Sequence, residues 1–143
     1  MTVVIGLPRD ERAPAAMALG GLLARSLGED MVVCTVVPEQ WPPGFGRVDA
    51  EYHEFMEQDA ADALERARAL LPAGADATFE VARARSTSVG LLEVAQRHGA
   101  GLLALGSSTA GVLGRVAFVW YYFYGRKHSH LGRHEHVGLI HDA

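Results

Sequence analysis

The sequence predicts a single α/β domain built on a mostly parallel sheet, and three observations carry that expectation. Apolar, β-branched runs alternate with segments whose apolar residues recur at helical spacing, giving strand, helix, strand, helix, strand, helix, strand. The runs at 3–7 and 102–105 are continuously apolar and 31–37 is apolar but for Thr35, as strands covered on both faces are. The last run leads directly into Gly106-Ser107-Ser108-Thr109-Ala110-Gly111-Val112-Leu113-Gly114-Arg115, a loop rich in glycine and hydroxyls. Ligands of open α/β sheets bind beyond the carboxyl ends of strands, at a topological switch point. Backbone N–H groups of a glycine-rich loop there suit phosphate oxygens.

The elements follow in order. Residues 3–7 form the first strand, and Pro8-Arg9-Asp10 turns the chain. Asp10 caps a helix over 11–27, with Ala16, Leu19, Gly20, Leu23 and Leu27 on its inner face and Gly28 at its C-terminal cap. Gly20 and Gly21 cost helix propensity, which close packing on a sheet would offset. Residues 31–37 form the second strand, and Pro38 opens a Pro- and Gly-rich loop that Trp41 and Phe45 pin to the body. Asp49 caps a long helix to Leu71, with Tyr52, Met56, Ala60, Ala63, Leu64, Ala67 and Leu71 as its apolar stripe. Its acids, Glu51, Glu54, Glu57, Asp59, Asp62 and Glu65, read as a solvated face. A third strand covers 77–84 around Phe79 and Val81. A helix capped by Ser86, Thr87 or Ser88 then runs to His98, with Val89, Leu92 and Ala95 inward and Gly99 as its stop. His98 is placed to interact with that helix's C-terminal dipole when protonated.

Composition narrows the classes of function. A chain of 143 residues is long enough for one sizeable core, and residues 1–143 are expected to form one domain whose segment 119–143 is divergent. The net charge of −4 offers no general attraction to nucleic acid or to anionic membranes. The single cysteine, Cys34, excludes an intrachain disulfide, and its apolar strand context points to packing rather than reactivity. No signal peptide is expected, because residues 2–7 are too short an apolar stretch and Arg9, Asp10, Glu11 and Arg12 follow at once. No apolar run approaches the roughly 20 residues of a membrane span. The expected location is the cytoplasm.

Residues 2–118 resemble a universal stress protein of the UspA type. The resemblance is carried by the opening strand Val3-Val4-Ile5-Gly6-Leu7 and the second strand's end, Cys34-Thr35-Val36-Val37-Pro38. It is carried further by Leu92-Glu93-Val94-Ala95-Gln96-Arg97-His98-Gly99-Ala100 leading into Leu103-Ala104-Leu105-Gly106-Ser107-Ser108. It implies a Rossmann-like, open, five-stranded sheet in the order 3-2-1-4-5, with helices on both faces, often dimeric through the last strand. Some members bind ATP. Those members carry an acid just after the first strand and a Gly-x2-Gly-x9-Gly-Ser/Thr signature after the fourth.

This sequence departs from that pattern. Pro8 stands at the acid's place, with Asp10 two residues on; Gly106 matches the first glycine and Thr109 the second; Val119 and Trp120 occupy the Gly-Ser/Thr position. If 119–124 is set aside as an insertion, Gly125 reaches the signature's last glycine, 131–134 the family's last helix and 137–140 its fifth strand. The candidate nucleotide-binding residues are therefore Gly106, Ser108, Thr109, Gly111, Gly114 and Gly125. Val36 joins them through backbone contacts to the adenine side, as its matched position implies, and Asp10 as the nearest carboxylate. Arg9 is added as a charge for the phosphates on the residues alone, not from the family.

The tail is unusual. Val119, Trp120, Tyr121, Tyr122, Phe123 and Tyr124 form a dense, largely aromatic cluster, and aromatic residues are common interface anchors. A homodimer contact is the leading expectation, with protein partners through the same segment; neither nucleic acid nor a membrane is expected. His128, His130, His134 and His136 follow; on a helix His130 and His134 would share a face. They lack an assured third ligand, so no metal is expected. Two functions stand side by side: a nucleotide-binding signalling module of the stress response, with ATP as the ligand, and a dimerisation scaffold whose nucleotide site has degenerated. A slow ATP hydrolase ranks third. The chain has no Gly-x4-Gly-Lys-Ser/Thr loop and no evident nucleophile, base and orienter, so no catalytic residue is assigned.

Overall fold

The computed structural model describes residues 1–39, 46–105, 117–120 and 136–139, with 46–49 and the last two stretches as backbone. The element order is β1 (Thr2–Gly6), α1 (Ala13–Leu27), β2 (Asp30–Pro38), α2 (Gly46–Arg68), β3 (Thr78–Ala84), α3 (Thr87–Arg97), β4 (Ala100–Leu105), β5 (Ala117–Trp120) and β6 (His136–Leu139). The strands lie in the order β3-β2-β1-β4-β5-β6. The first four are parallel, as the α/β alternation predicts.

The expected five-stranded 3-2-1-4-5 sheet needs correction beyond β4. β5 pairs antiparallel with β4, through Leu103 with Val119 and Leu105 with Ala117. β6 pairs antiparallel with β5, through Val119 with Val137. The strand expected at 137–140 does form, at His136–Leu139, but β5 takes the place beside β4. An antiparallel return needs no crossover helix, and the sequence between β4 and β5 carries no helical apolar pattern that would have announced one.

Helices cover both faces of the sheet. On one face α1 and α2 pack Ala16, Met17, Ala24, Ala63, Leu64 and Ala67 against Val3, Ile5, Met31, Val33 and Leu102. On the other, α3 packs Leu91, Val94 and Ala95 against Val4, Val32, Cys34, Val36 and Leu103. Alternate residues of one strand thus serve opposite cores, which is why these strands read as continuous apolar runs.

The inner faces of two helices are rotated from their expected registers. α1 buries Ala16, Met17, Gly20, Gly21 and Ala24, and leaves Leu27 exposed. The reason is close approach: a Cβ on Gly20 would lie 2.1 Å from Ile5 Cδ1. α3 buries Gly90, Leu91, Val94 and Ala95, with Val89 and Leu92 only partly covered. There a Cβ on Gly90 would lie 2.7 Å from Val36 Cγ1. Small residues point at the sheet, and larger ones flank the contact.

The start of α1 departs from expectation: the helix begins at Ala13 with Arg12 at its N-cap and no side-chain cap, rather than at 11 behind Asp10, whereas other helix ends are locally encoded. Gly28, at φ 67°, closes α1 with a left-handed cap, and Glu29 N–H donates to Ala24 C=O at 2.9 Å. Ser86 caps α3, its hydroxyl accepting from Val89 N–H at 3.3 Å. α2 starts at Gly46, ahead of the expected Asp49, and ends at Arg68 rather than Leu71. Leu70 and Leu71 continue it as a tightened turn, donating to the carbonyls of Ala67 and Arg68. Trp41 and Phe45 lie outside the described residues. No helix among the described residues is long and apolar enough to cross a membrane.

Candidate functional site

The strand order places the switch point at β1: the chain leaves it toward β2 on one side and returns as β4 on the other. The carboxyl edge of the sheet is stepped there. β1 stops at Gly6, level with Cys34 of β2 and Leu105 of β4. The fit is close, because a Cβ on Gly6 would lie 2.5 Å from Leu105 Cδ2. The ends of β1 and β4 therefore lie side by side at Gly6 and Leu105.

β2 runs on past this point to Pro38, still paired with β3 through Val36–Ala82, Val37–Arg83 and Pro38–Ala84. Leu7 N–H donates to Cys34 C=O at 2.7 Å, so the peptide groups of Cys34 face β1. Strand alternation then turns the peptide groups of Val36 to the same side, beyond the last residue of β1. The Val36 side chain is buried under Gly90 of α3, which leaves its backbone as the part that faces the step.

Two charged candidates sit in the loop after β1. Asp10 starts the turn into α1: its carbonyl accepts from Ala13 N–H at 3.1 Å and its Oδ1 from Arg12 N–H at 3.0 Å. Arg12 Nε reaches both carboxylate oxygens, at 2.8 and 2.9 Å, and Nη2 also contacts Oδ2. The Arg12 side chain, then its backbone N–H, holds the Asp10 carboxyl below its usual range. The Asp10 oxygens are thus engaged within their own loop. Arg9 points toward α2, with Nη1 3.3 Å from Asp59 Oδ2 and 3.7 Å from Met56 Sδ. Nothing in the sequence pointed to this pairing: Asp59 read as one of a solvated row of acids, fifty residues away.

The glycine-loop candidates Gly106, Ser108, Thr109, Gly111, Gly114 and Gly125 lie outside the described residues, as do His130 and His134. The α2 acids form ion pairs: Glu57 with Arg83 at 2.6 Å, Asp59 with Arg9, and Glu65 with Arg68 at 3.5 Å. Among the described residues no three His, Cys, Asp or Glu side chains are grouped to hold a metal. His98 Nε2 lies 3.2 Å from Glu80 Oε2, beside Arg97, which meets Glu80 Oε1 at 2.6 Å. A shallow hollow lies at the opposite end of β2, bordered by Gly21, Ala24, Arg25, Glu29, Met31 and Asp76. It is separated from the step by the length of the strand.

Comparison with known proteins supports this architecture. Solved structures match as fold relatives. Universal stress protein UspA from Lactobacillus plantarum has a TM-score of 0.62 at 14% identity, over 80% of this chain and 83% of that one. A universal stress protein solved in complex with cAMP has a TM-score of 0.53 at 22% identity, over 80% of this chain and 84% of that one. Universal stress proteins of Mycobacterium tuberculosis and Mycobacterium bovis are 38% identical over 120 residues, 81% of this chain. The chain spans 41% of the length of these curated relatives. The model of the Universal stress protein family matches residues 1–119. With the switch-point geometry and these matches together, the chain belongs to the universal stress protein family.

Proposed function

We propose that the protein is a nucleotide-binding signalling module of the stress response, with ATP as its ligand at the carboxyl edge of β1 and β4. The observation that carries the reading is the step in that edge: β1 ends at Gly6 while β2 continues to Pro38, so the Val36 peptide groups face the space above β1. Backbone donors and acceptors in that place suit an adenine edge, and Gly106, which directly follows Leu105, begins the loop assigned to the phosphates. A protein of the same fold was solved with cAMP, itself an adenine nucleotide. The module works as a homodimer and without catalysis of its own.

A specific observation favours a second reading, the dimerisation scaffold with a degenerate site. Pro8 and Thr109 replace an acid and a glycine of the ATP signature, and Asp10 is occupied by Arg12. Acid extraction of the purified full chain, followed by calorimetric titration with ATP, separates the two. Bound nucleotide or micromolar affinity is expected, with a loss of tenfold or more in Gly106→Val and Gly111→Val, because each added side chain blocks backbone approach. Equal affinity in wild type and both variants refutes the loop assignment. No nucleotide and no heat assigns the scaffold function instead.

A further inference from the structure

Arg9 is a cation three residues beyond Gly6, in the loop that leaves the step. Its guanidinium is partly buried and meets Asp59 through one nitrogen, at 3.3 Å, with the Met56 thioether behind it at 3.7 Å. Charge-assisted bonds of this kind usually close to about 2.7–2.9 Å. Other arginines of the chain do so: Arg83 grips both oxygens of Glu57 at 2.6 and 2.9 Å, and Arg97 meets Glu80 at 2.6 Å. Those pairs staple β3 to α2 and to α3. The Arg9 pair is longer than either of these, as is the exposed Arg68–Glu65 pair within α2 at 3.5 Å, and Arg9 belongs to the loop that leaves β1 at the step. A guanidinium fork matches a phosphate through two parallel bonds, whereas Asp59 engages one corner of it.

We propose that Asp59 is an internal competitor for Arg9: it holds the guanidinium on α2 in the free protein, and the phosphate group of a nucleotide bound above β1 draws it away. This inference rests on the nucleotide-binding reading and adds to it what the site selects, namely phosphorylated ligands over the bare nucleoside. It also links the site to α2, since ligand binding releases the contact at Met56 and Asp59. α2 stays in place through Ala60, Ala63, Leu64 and Ala67 in the core and through the Glu57–Arg83 pair.

The test is calorimetric titration of the full-length wild type, Asp59→Asn, Arg9→Gln and the double variant with ATP and with adenosine, at low and high salt. Asp59→Asn is expected to bind ATP about two- to fivefold more tightly, the scale of one partly exposed ion pair, with adenosine affinity unchanged. Arg9→Gln is expected to bind ATP more weakly and with a flatter salt dependence, and the double variant to match Arg9→Gln. Asp59 is partly exposed, so thermal melts of the variants near wild type are expected to show intact folds. ATP affinity in Asp59→Asn at or below wild type, or unchanged in Arg9→Gln, overturns the exchange while leaving the nucleotide site standing. If the wild type binds neither ligand, both readings fall.

Discussion

Cys34 shows how far one residue's chemistry follows from its position. It lies in the middle of β2, fully buried between β1, β3 and α3. Burial first, then the charge of Glu80, pushes its thiol up from 9.0 to about 12. At neutral pH the thiol should not react with a disulfide reagent until the fold opens, and should react fully in denaturing urea. The linkage has a definite sign. Above pH 9 the unfolded chain loses the thiol proton while the folded protein keeps it, so stability falls as pH rises from about 9 toward 12. Between pH 9 and 10 this component amounts to about 1 kcal/mol. Urea midpoints across that range should fall more steeply for wild type than for Cys34→Ala; parallel curves would contradict the assignment. The inert, packed cysteine was legible because its neighbours on both sides, Val33 and Thr35, are β-branched and the run around them is mostly apolar. The Arg9–Asp59 pair was not legible, because no local spacing links two residues brought together only by the docking of α2.

At the scale of the element, α1 separates what a sequence encodes from what packing decides. Two adjacent glycines in a helix announce close packing, and that much was readable from Gly20 and Gly21. Which way the helix turns was not. The expected stripe of Ala16, Leu19, Gly20, Leu23 and Leu27 is met at Ala16 and Gly20, yet the sheet also receives Met17 and Ala24, covers Leu19 and Leu23 only in part and leaves Leu27 exposed. Helical periodicity rewards large residues, whereas contact with Ile5 rewards small ones, and the contact wins. The two glycines should therefore respond in opposite senses to the same substitution. In Gly20→Ala the new Cβ meets Ile5 Cδ1 at 2.1 Å and Cγ1 at 2.4 Å, and Ile5 is itself fully buried. A loss of about 1–3 kcal/mol is expected. In Gly21→Ala nothing lies within 4 Å of the new Cβ, so relief of the glycine helix penalty should stabilise by about 0.5–1 kcal/mol. Urea midpoints of the two variants, measured side by side, check both signs. A destabilised Gly21→Ala or an unaffected Gly20→Ala would mean that α1 approaches the sheet differently.

For the whole molecule, the parallel half of the sheet was legible from alternation and apolar runs, and the antiparallel half was not. The family resemblance sets the segment 137–140 as the fifth strand, but nothing local tells it that β5 stands between it and β4. The consequence is an edge formed by residues outside the family match at 1–119. β6 ends the sheet there, beside β5, whose last residue begins the Trp120 to Tyr124 aromatic run. Edge strands invite pairing with another chain, and aromatic residues anchor such contacts. We propose that this end of the sheet carries the homodimer contact. Light scattering should then give the full chain twice its 15.4 kDa mass. Removal of 119–143 should change that state, because it removes β6 and the half of β5 that includes Val119, the partner of Leu103. That truncation also removes part of the sheet, so Trp120→Asp provides a milder companion that keeps every strand in the chain. It should shift the full-length protein toward the mass of one copy. A full chain with the mass of one copy would overturn the homodimer, and dimers that persist unchanged in both variants would move the contact elsewhere on the molecule.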